Sequence, residues 1–182
     1  VNLEEFRFKE RSPEAFSKNI VIGLIGRLTP IKGHPLFLKA MARVVRVFPN
    51  VKIQMIGDSP KPQYKEELAA LARNLGLADC TQFLGTRYDI PDLLSQMSLL
   101  VVPSVGEEAF GRVVIEAGAC GVPVVATRIG GMVDIIEHEK DGLLVPPNDP
   151  RVLADSILRI LKDEKLKAAL ASALRVKVEK QF

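Results

Sequence analysis

Short runs of branched, apolar residues recur along this chain, each followed by an interval long enough for a helix, and no other feature restricts the fold so tightly. The runs occupy residues 20–25, 53–56, 81–84, 99–102, 124–126 and 143–145. Residues 20–25 (IVIGLI) and 99–102 (LLVV) show no alternation of apolar and polar positions. A strand of that kind has no face to offer water, so both faces must be covered, as in a parallel sheet flanked by helices. The intervening segments supply the covers. Residues 35–48 put Leu36, Leu38, Met41, Val44, Val45 and Phe48 on the inner side of a helix. A second helix at 63–75 is closed by Gly76, where a left-handed cap is needed. Further helices are predicted at 91–96, from about 110, and at 133–137, 150–161 and 165–180.

The expected fold is α/β: a Rossmann-like, doubly wound parallel sheet of about six strands with helices on both faces. Residues 1–18 are polar and aperiodic and read as a linker or short extension, and residues 19–182 as a single domain. In the Rossmann order, strands one and four lie side by side where the winding reverses. Ligands bind in the crevice beyond their carboxyl ends. The loop after strand one carries Arg27 and Lys32, and the loop after strand four carries Glu107, Glu108 and a helix start. The two most polar loops therefore converge on the crevice.

The densest chemistry lies between residues 101 and 131. Glu108 and Glu116 are eight positions apart, one in the loop and one a little over a turn into the helix, so both can face one side. Glu116 stands among Val113, Val114, Ile115, Ala117 and Ala119. A carboxylate so placed needs hydroxyls or cations, because an unpaired buried charge costs roughly several kcal/mol. A polyhydroxylated ligand would provide them; the alternative, a surface carboxylate, suits Glu107 better. Arg27 and Lys32 could neutralise a diphosphate, one as a planar donor fork and the other as a point charge, or could form a solvated basic loop. Their segment GRLTPIKG is not a P-loop, since the lysine precedes the second glycine and His34 stands where a lysine is required. Phe110, Gly111 and Arg112 open the helix, and their N–H groups make either an anion site or an ordinary helix start. Gly130 and Gly131 are a turn, or a place where backbone amides reach a ligand. His34 and His138 lack an acid–nucleophile pattern and read as structural or surface residues.

Charge and cysteine usage remove whole classes of function. With 25 basic and 22 acidic residues, interspersed, the net charge of +3 is too small for a nucleic-acid groove. No apolar run approaches the roughly 20 residues that span a bilayer. Cys80 and Cys120 have neither the number nor the spacing for a zinc site or a disulfide framework, and a reduced, cytoplasmic compartment is expected.

Taken in order, GRLTPIKG, FLGTRYDIPDLL, VVPSVGEEAFGRVVIEAGACGVPVVAT, the glycine pair and DGLLVPPNDP resemble the C-terminal, nucleotide-sugar-binding domain of the retaining GT-B glycosyltransferases of family 4, also called group 1. The resemblance covers most of residues 20–162 and implies one half of a GT-B fold. It implies that Arg27 and Lys32 bind the donor diphosphate and stabilise the leaving nucleoside diphosphate, UDP or GDP. Glu108 would hold hydroxyls of the donor sugar, and the amides of Phe110, Gly111 and Arg112 would contact sugar and phosphate. Glu116 would take the ribose hydroxyls, and the backbone near Arg87 the base. Catalytic roles thus fall to Arg27, Lys32 and Glu108, with no metal and no cofactor besides the sugar nucleotide. The acceptor, a saccharide or a lipid-linked one, would be held by an N-terminal domain that this chain does not contain, so the domain alone is expected to bind nucleotide weakly and transfer nothing. The whole enzyme would be cytoplasmic, with peripheral attachment at the inner membrane face open to it. Two departures, Arg112 in place of an apolar residue and GGMVDII without the usual Pro-Glu, bear on donor preference. Competing readings are a flavodoxin-like signalling or interaction module, disfavoured by Gly26-Arg27 where an acidic pair is needed, and a GT-B epimerase or phosphorylase domain.

Overall fold

The computed structural model describes residues 1–8, 20–106 and 111–182. Six strands form one parallel sheet: β1 (Val21–Ile25), β2 (Lys52–Ile56), β3 (Thr81–Gly85), β4 (Leu99–Val102), β5 (Val124–Thr127) and β6 (Leu143–Val145). Their order is β3-β2-β1-β4-β5-β6. That is the Rossmann order, with β1 and β4 paired at the switch point through Ile22 opposite Leu99 and Gly23 opposite Leu100. It differs from the 2-1-3-4-5 order of flavodoxin-like modules.

The helices are α1 (His34–Val47), α2 (Pro62–Asn74), α3 (Ile90–Gln96), α4 (Arg112–Ala119), α5 (Met132–Ile135), α6 (Pro150–Lys162) and α7 (Glu164–Gln181). They divide between the two faces as the apolar strands demand. Ile22, Leu24, Leu99 and Val101 look toward α1, α2 and α6; Val21, Leu100, Val102 and Ala126 look toward α3, α4, α5 and α7. Every residue of β4 and β5 is buried, which is the double-sided burial that LLVV announces.

Helix ends follow local chemistry. The Asp149 side chain accepts hydrogen bonds from the Arg151 and Val152 amides, and Asp163 accepts one from Leu166, fixing the starts of α6 and α7. Gly76 adopts φ 71°, the left-handed conformation its position after α2 requires. Helix α5 is shorter than the sequence suggests, because Ile136 leaves it in an extended conformation. Residues 1–8 lie against the α4–α7 side, with Phe6 buried and the Arg175 guanidinium 4.5 Å from the Phe8 ring centre. The rest of the expected extension, to residue 18, is outside the described residues.

His34 is fully buried at the start of α1, with the Tyr64 ring set edge-on 6.4 Å away. Its ring nitrogens have no well-formed hydrogen bond. Burial lowers its pKa to about 4, with Lys32 adding to the effect and the Thr29 carbonyl opposing it. The imidazole is therefore neutral in the fold and, from an ordinary value near 6.5, charges first in the unfolded chain. Stability is fully present above the unfolded value and is lost as pH falls from there toward 4. Against a His34→Gln variant, whose carboxylates titrate alike, the native chain should lose about 3 kcal/mol more between pH 7 and pH 4 in urea titrations. Parallel curves for the two proteins would refute this. His138 is exposed, and its Nδ1 accepts a hydrogen bond from the Leu144 amide at 3.0 Å, a structural role.

Candidate functional site

The loops leaving the carboxyl ends of β1, β2, β3 and β4 are joined to one another by backbone hydrogen bonds. Gly26 N–H donates to Ile56 C=O (2.8 Å), Leu28 N–H to Asp58 C=O (2.9 Å), and Gly57 N–H to Gly85 C=O (2.8 Å). Across the switch point, Val105 N–H donates to Ile31 C=O (2.8 Å). The loop after β1 tightens into a single 3-10 turn, Pro30–Lys32, which Gly33 ends at φ 70°. A Cβ on Gly33 would stand 1.8 Å from the Pro103 carbonyl oxygen, so the two chains are in backbone contact there. The Lys32 stem turns back over the end of β1, 3.6 Å from where a Gly26 side chain would begin.

Arg27 is exposed on the same loop, and Lys32 is half-buried. The loop after β4 continues from Gly106, itself packed on Ile31, directly into Glu107. Glu108 and Phe110 lie outside the described residues, so their expected places are not described. From β5, the Thr127 hydroxyl donates to the Ser104 carbonyl at 2.6 Å and steadies the loop.

Gly111 precedes α4 at φ 61°, and a side chain there would meet Met132 Cε at 2.0 Å. The start of α4 is thereby held against the start of α5. The first amides of α4 have no acceptor within the helix. Glu116 sits one turn further in. Its side chain is 13% exposed, whereas that of Arg112 is 83% exposed, and Arg112 Nε lies 2.9 Å from Glu116 Oε1. Burial pushes the Glu116 carboxyl above its ordinary value, and Arg112 pulls it back. Arg27, Lys32, Gly111 and Arg112 therefore belong to segments at the carboxyl ends of β1 and β4, and Glu116 lies a turn further along α4.

Arg87 follows β3 at the same end, two strands from β1. Its guanidinium grips Asp89 through two hydrogen bonds, one of 2.7 Å, and holds that carboxyl below the ordinary range. Gly130 (φ 51°) and Gly131 shape the turn into α5. Sequence reasoning treated Arg112 as a backbone donor and missed its side-chain partner. The four-residue spacing to Glu116 was the available signal.

A parallel sheet in 3-2-1-4-5-6 order, with a basic loop and a helix start at its switch point, defines a Rossmann-like domain. A family model, "Glycosyl transferases group 1", matches residues 5–176. The chain belongs to that family. It is 36% identical to the D-inositol 3-phosphate glycosyltransferase of Corynebacterium jeikeium over 156 residues, which cover 82% of this chain and 37% of that protein. It superposes with a TM-score of 0.90 on Anabaena Alr3699/HepE in complex with UDP and glucose, at 32% identity, over 100% of this chain and 51% of the other. The C-terminal domain of a group 1 glycosyl transferase (LpcC) from Francisella tularensis superposes at 0.87 and 25% identity, over 100% and 97%. The chain thus spans about half the length of HepE and less of the curated relative. Among the described residues, no helix is long and apolar enough to cross a membrane.

Proposed function

We propose that this domain binds the donor of a retaining, metal-independent glycosyltransferase that moves a sugar from UDP- or GDP-sugar to a saccharide or lipid-linked acceptor. The observation that supports the reading is the joining of the loops after β1 and β4, in which the segment bearing Arg27 and Lys32 packs against residues 103–106. HepE, its neighbour in structure, is described in complex with UDP, with UDP-glucose, and with UDP and glucose.

In this reading Arg27 and Lys32 face the donor diphosphate. As the bond from the anomeric carbon to the diphosphate oxygen breaks, the electron pair moves to that oxygen, and the two fixed cations offset the charge that develops. The acceptor hydroxyl oxygen forms the new bond to the anomeric carbon and passes its proton to the departing diphosphate oxygen. Charges already in place need no reorganisation at that moment, which makes such stabilisation a large part of catalysis. Glu108 holds sugar hydroxyls, and the amides of Phe110, Gly111 and Arg112 meet sugar and phosphate. Glu116 takes the ribose hydroxyls, and the backbone near Arg87 the base. Acceptor binding belongs to a second domain of the whole protein, so this domain alone binds nucleotide and transfers nothing.

Calorimetric titration with UDP, GDP and ADP tests the reading: one should bind, and no heat from any of them with a folded sample overturns it. Glu116→Gln should keep the fold and weaken the bound nucleotide by about 1–3 kcal/mol, the range for hydrogen bonds to a charged group. Unchanged affinity would remove Glu116 from the ribose.

A further inference from the structure

Arg112 occupies the first position of α4, the end of a helix where the dipole disfavours a cation. The order of the pair, Arg before Glu, is also the weaker one for residues four apart. An arginine that only decorated the surface would gain little there, since exposed pairs contribute about 0.3–0.5 kcal/mol. This pair is not of that kind. Its arginine is open to solvent, but the Glu116 side chain is only 13% exposed, on the side of α4 turned away from the contact that α7 makes at Gly118.

Among the described residues, few charged groups act on that carboxylate. Arg112 comes from its own helix; Glu5 and the Val1 ammonium come from the N-terminal segment and oppose each other. Helix α7 contributes apolar side chains at its contact with α4. Arg112 is the one that makes a hydrogen bond, at 2.9 Å to Oε1.

We propose, resting on the nucleotide reading above, that Arg112 is a positioning residue: its side chain keeps Glu116 ionised and turned so that the carboxylate accepts the ribose hydroxyls. An ionised carboxylate accepts from both hydroxyls of a diol, whereas a protonated one gives up part of that capacity. The Arg112 side chain extends nucleotide binding toward acid, where an enclosed carboxylate would otherwise take up a proton.

The test is UDP titration by calorimetry from pH 8 to pH 5.5 with the native chain, Arg112→Ala, Arg112→Lys, Glu116→Gln and the Arg112→Ala, Glu116→Gln double variant. The ratio of native to variant affinity cancels the titration of UDP itself. For Arg112→Ala the ratio should be roughly threefold at pH 8 and widen to tenfold or more at pH 5.5, as the carboxylate loses its cation. Arg112→Lys should track the native profile, and in the Glu116→Gln background Arg112→Ala should change affinity less than twofold at every pH. A ratio independent of pH, or a full loss that persists without the Glu116 carboxylate, overturns the proposal and puts Arg112 on the ligand instead. The carboxyl 13C titration of Glu116 without nucleotide separates the two readings. It should move to higher pH in Arg112→Ala whether or not UDP binds, and an unmoved titration defeats the Arg112 role alone. Failure of the native chain to bind any nucleotide defeats the function.

Discussion

Gly33→Ala is expected to lower stability by about 3–5 kcal/mol, among the larger effects a single methyl group can have. Two costs add. An alanine at φ 70° pays roughly 1 kcal/mol for the left-handed conformation. Its methyl carbon would also stand 1.8 Å from the Pro103 carbonyl oxygen and 2.8 Å from the carbonyl carbon. Those are main-chain atoms, held by the neighbouring Val105-to-Ile31 hydrogen bond, and cannot rotate aside. For a chain of this size the melting temperature should fall by roughly 10 °C. Gly76→Ala is the control: φ is 71°, but nothing lies within 4 Å of the new carbon, so only the conformational cost of about 1 kcal/mol remains. Equal losses at the two positions would show that the close approach at Pro103 is not a rigid contact.

Removing both cations should have the largest effect on binding. Each charged hydrogen bond to phosphate is worth about 1.5–3 kcal/mol, so the Arg27→Ala, Lys32→Ala double variant should bind the nucleoside diphosphate roughly a thousandfold more weakly. For Arg27→Ala alone unfolding should move little, because Arg27 is exposed. Lys39→Ala, which removes an exposed cation from α1, should leave affinity within about twofold, since a solvated charge beyond contact is screened. If the double variant binds within threefold of the native chain, the loop after β1 does not meet the diphosphate.

Strand order and the crevice were legible because both follow from local pattern. Unbroken apolar runs such as LLVV demand burial on two faces, and a parallel sheet with intervening helices then leaves few topologies. The meeting of the loops after β1 and β4 followed from that order alone. The means of their meeting did not. Gly33 and Pro103 are seventy positions apart, and nothing periodic connects them. GRLTPIKG reads as a loop, and only the fold shows that its Pro30–Lys32 portion closes into a 3-10 turn that folds Lys32 back over the strand. The pairing of Arg112 with Glu116 was readable from spacing, but the contrast in their exposure, 83% against 13%, was not, because it depends on tertiary packing. Helix α5 was drawn too long because the extended conformation at Ile136 has no local signal.

Helix α7 crosses α4 so tightly at Gly118 that a methyl group there would come within 2.8 Å of Val178 and 2.9 Å of Leu174. Helix α7, some sixty positions downstream, is in effect a backstop for α4, and how α4 is seated depends on it. Drift in that segment would loosen the helix that carries both Arg112 and Glu116.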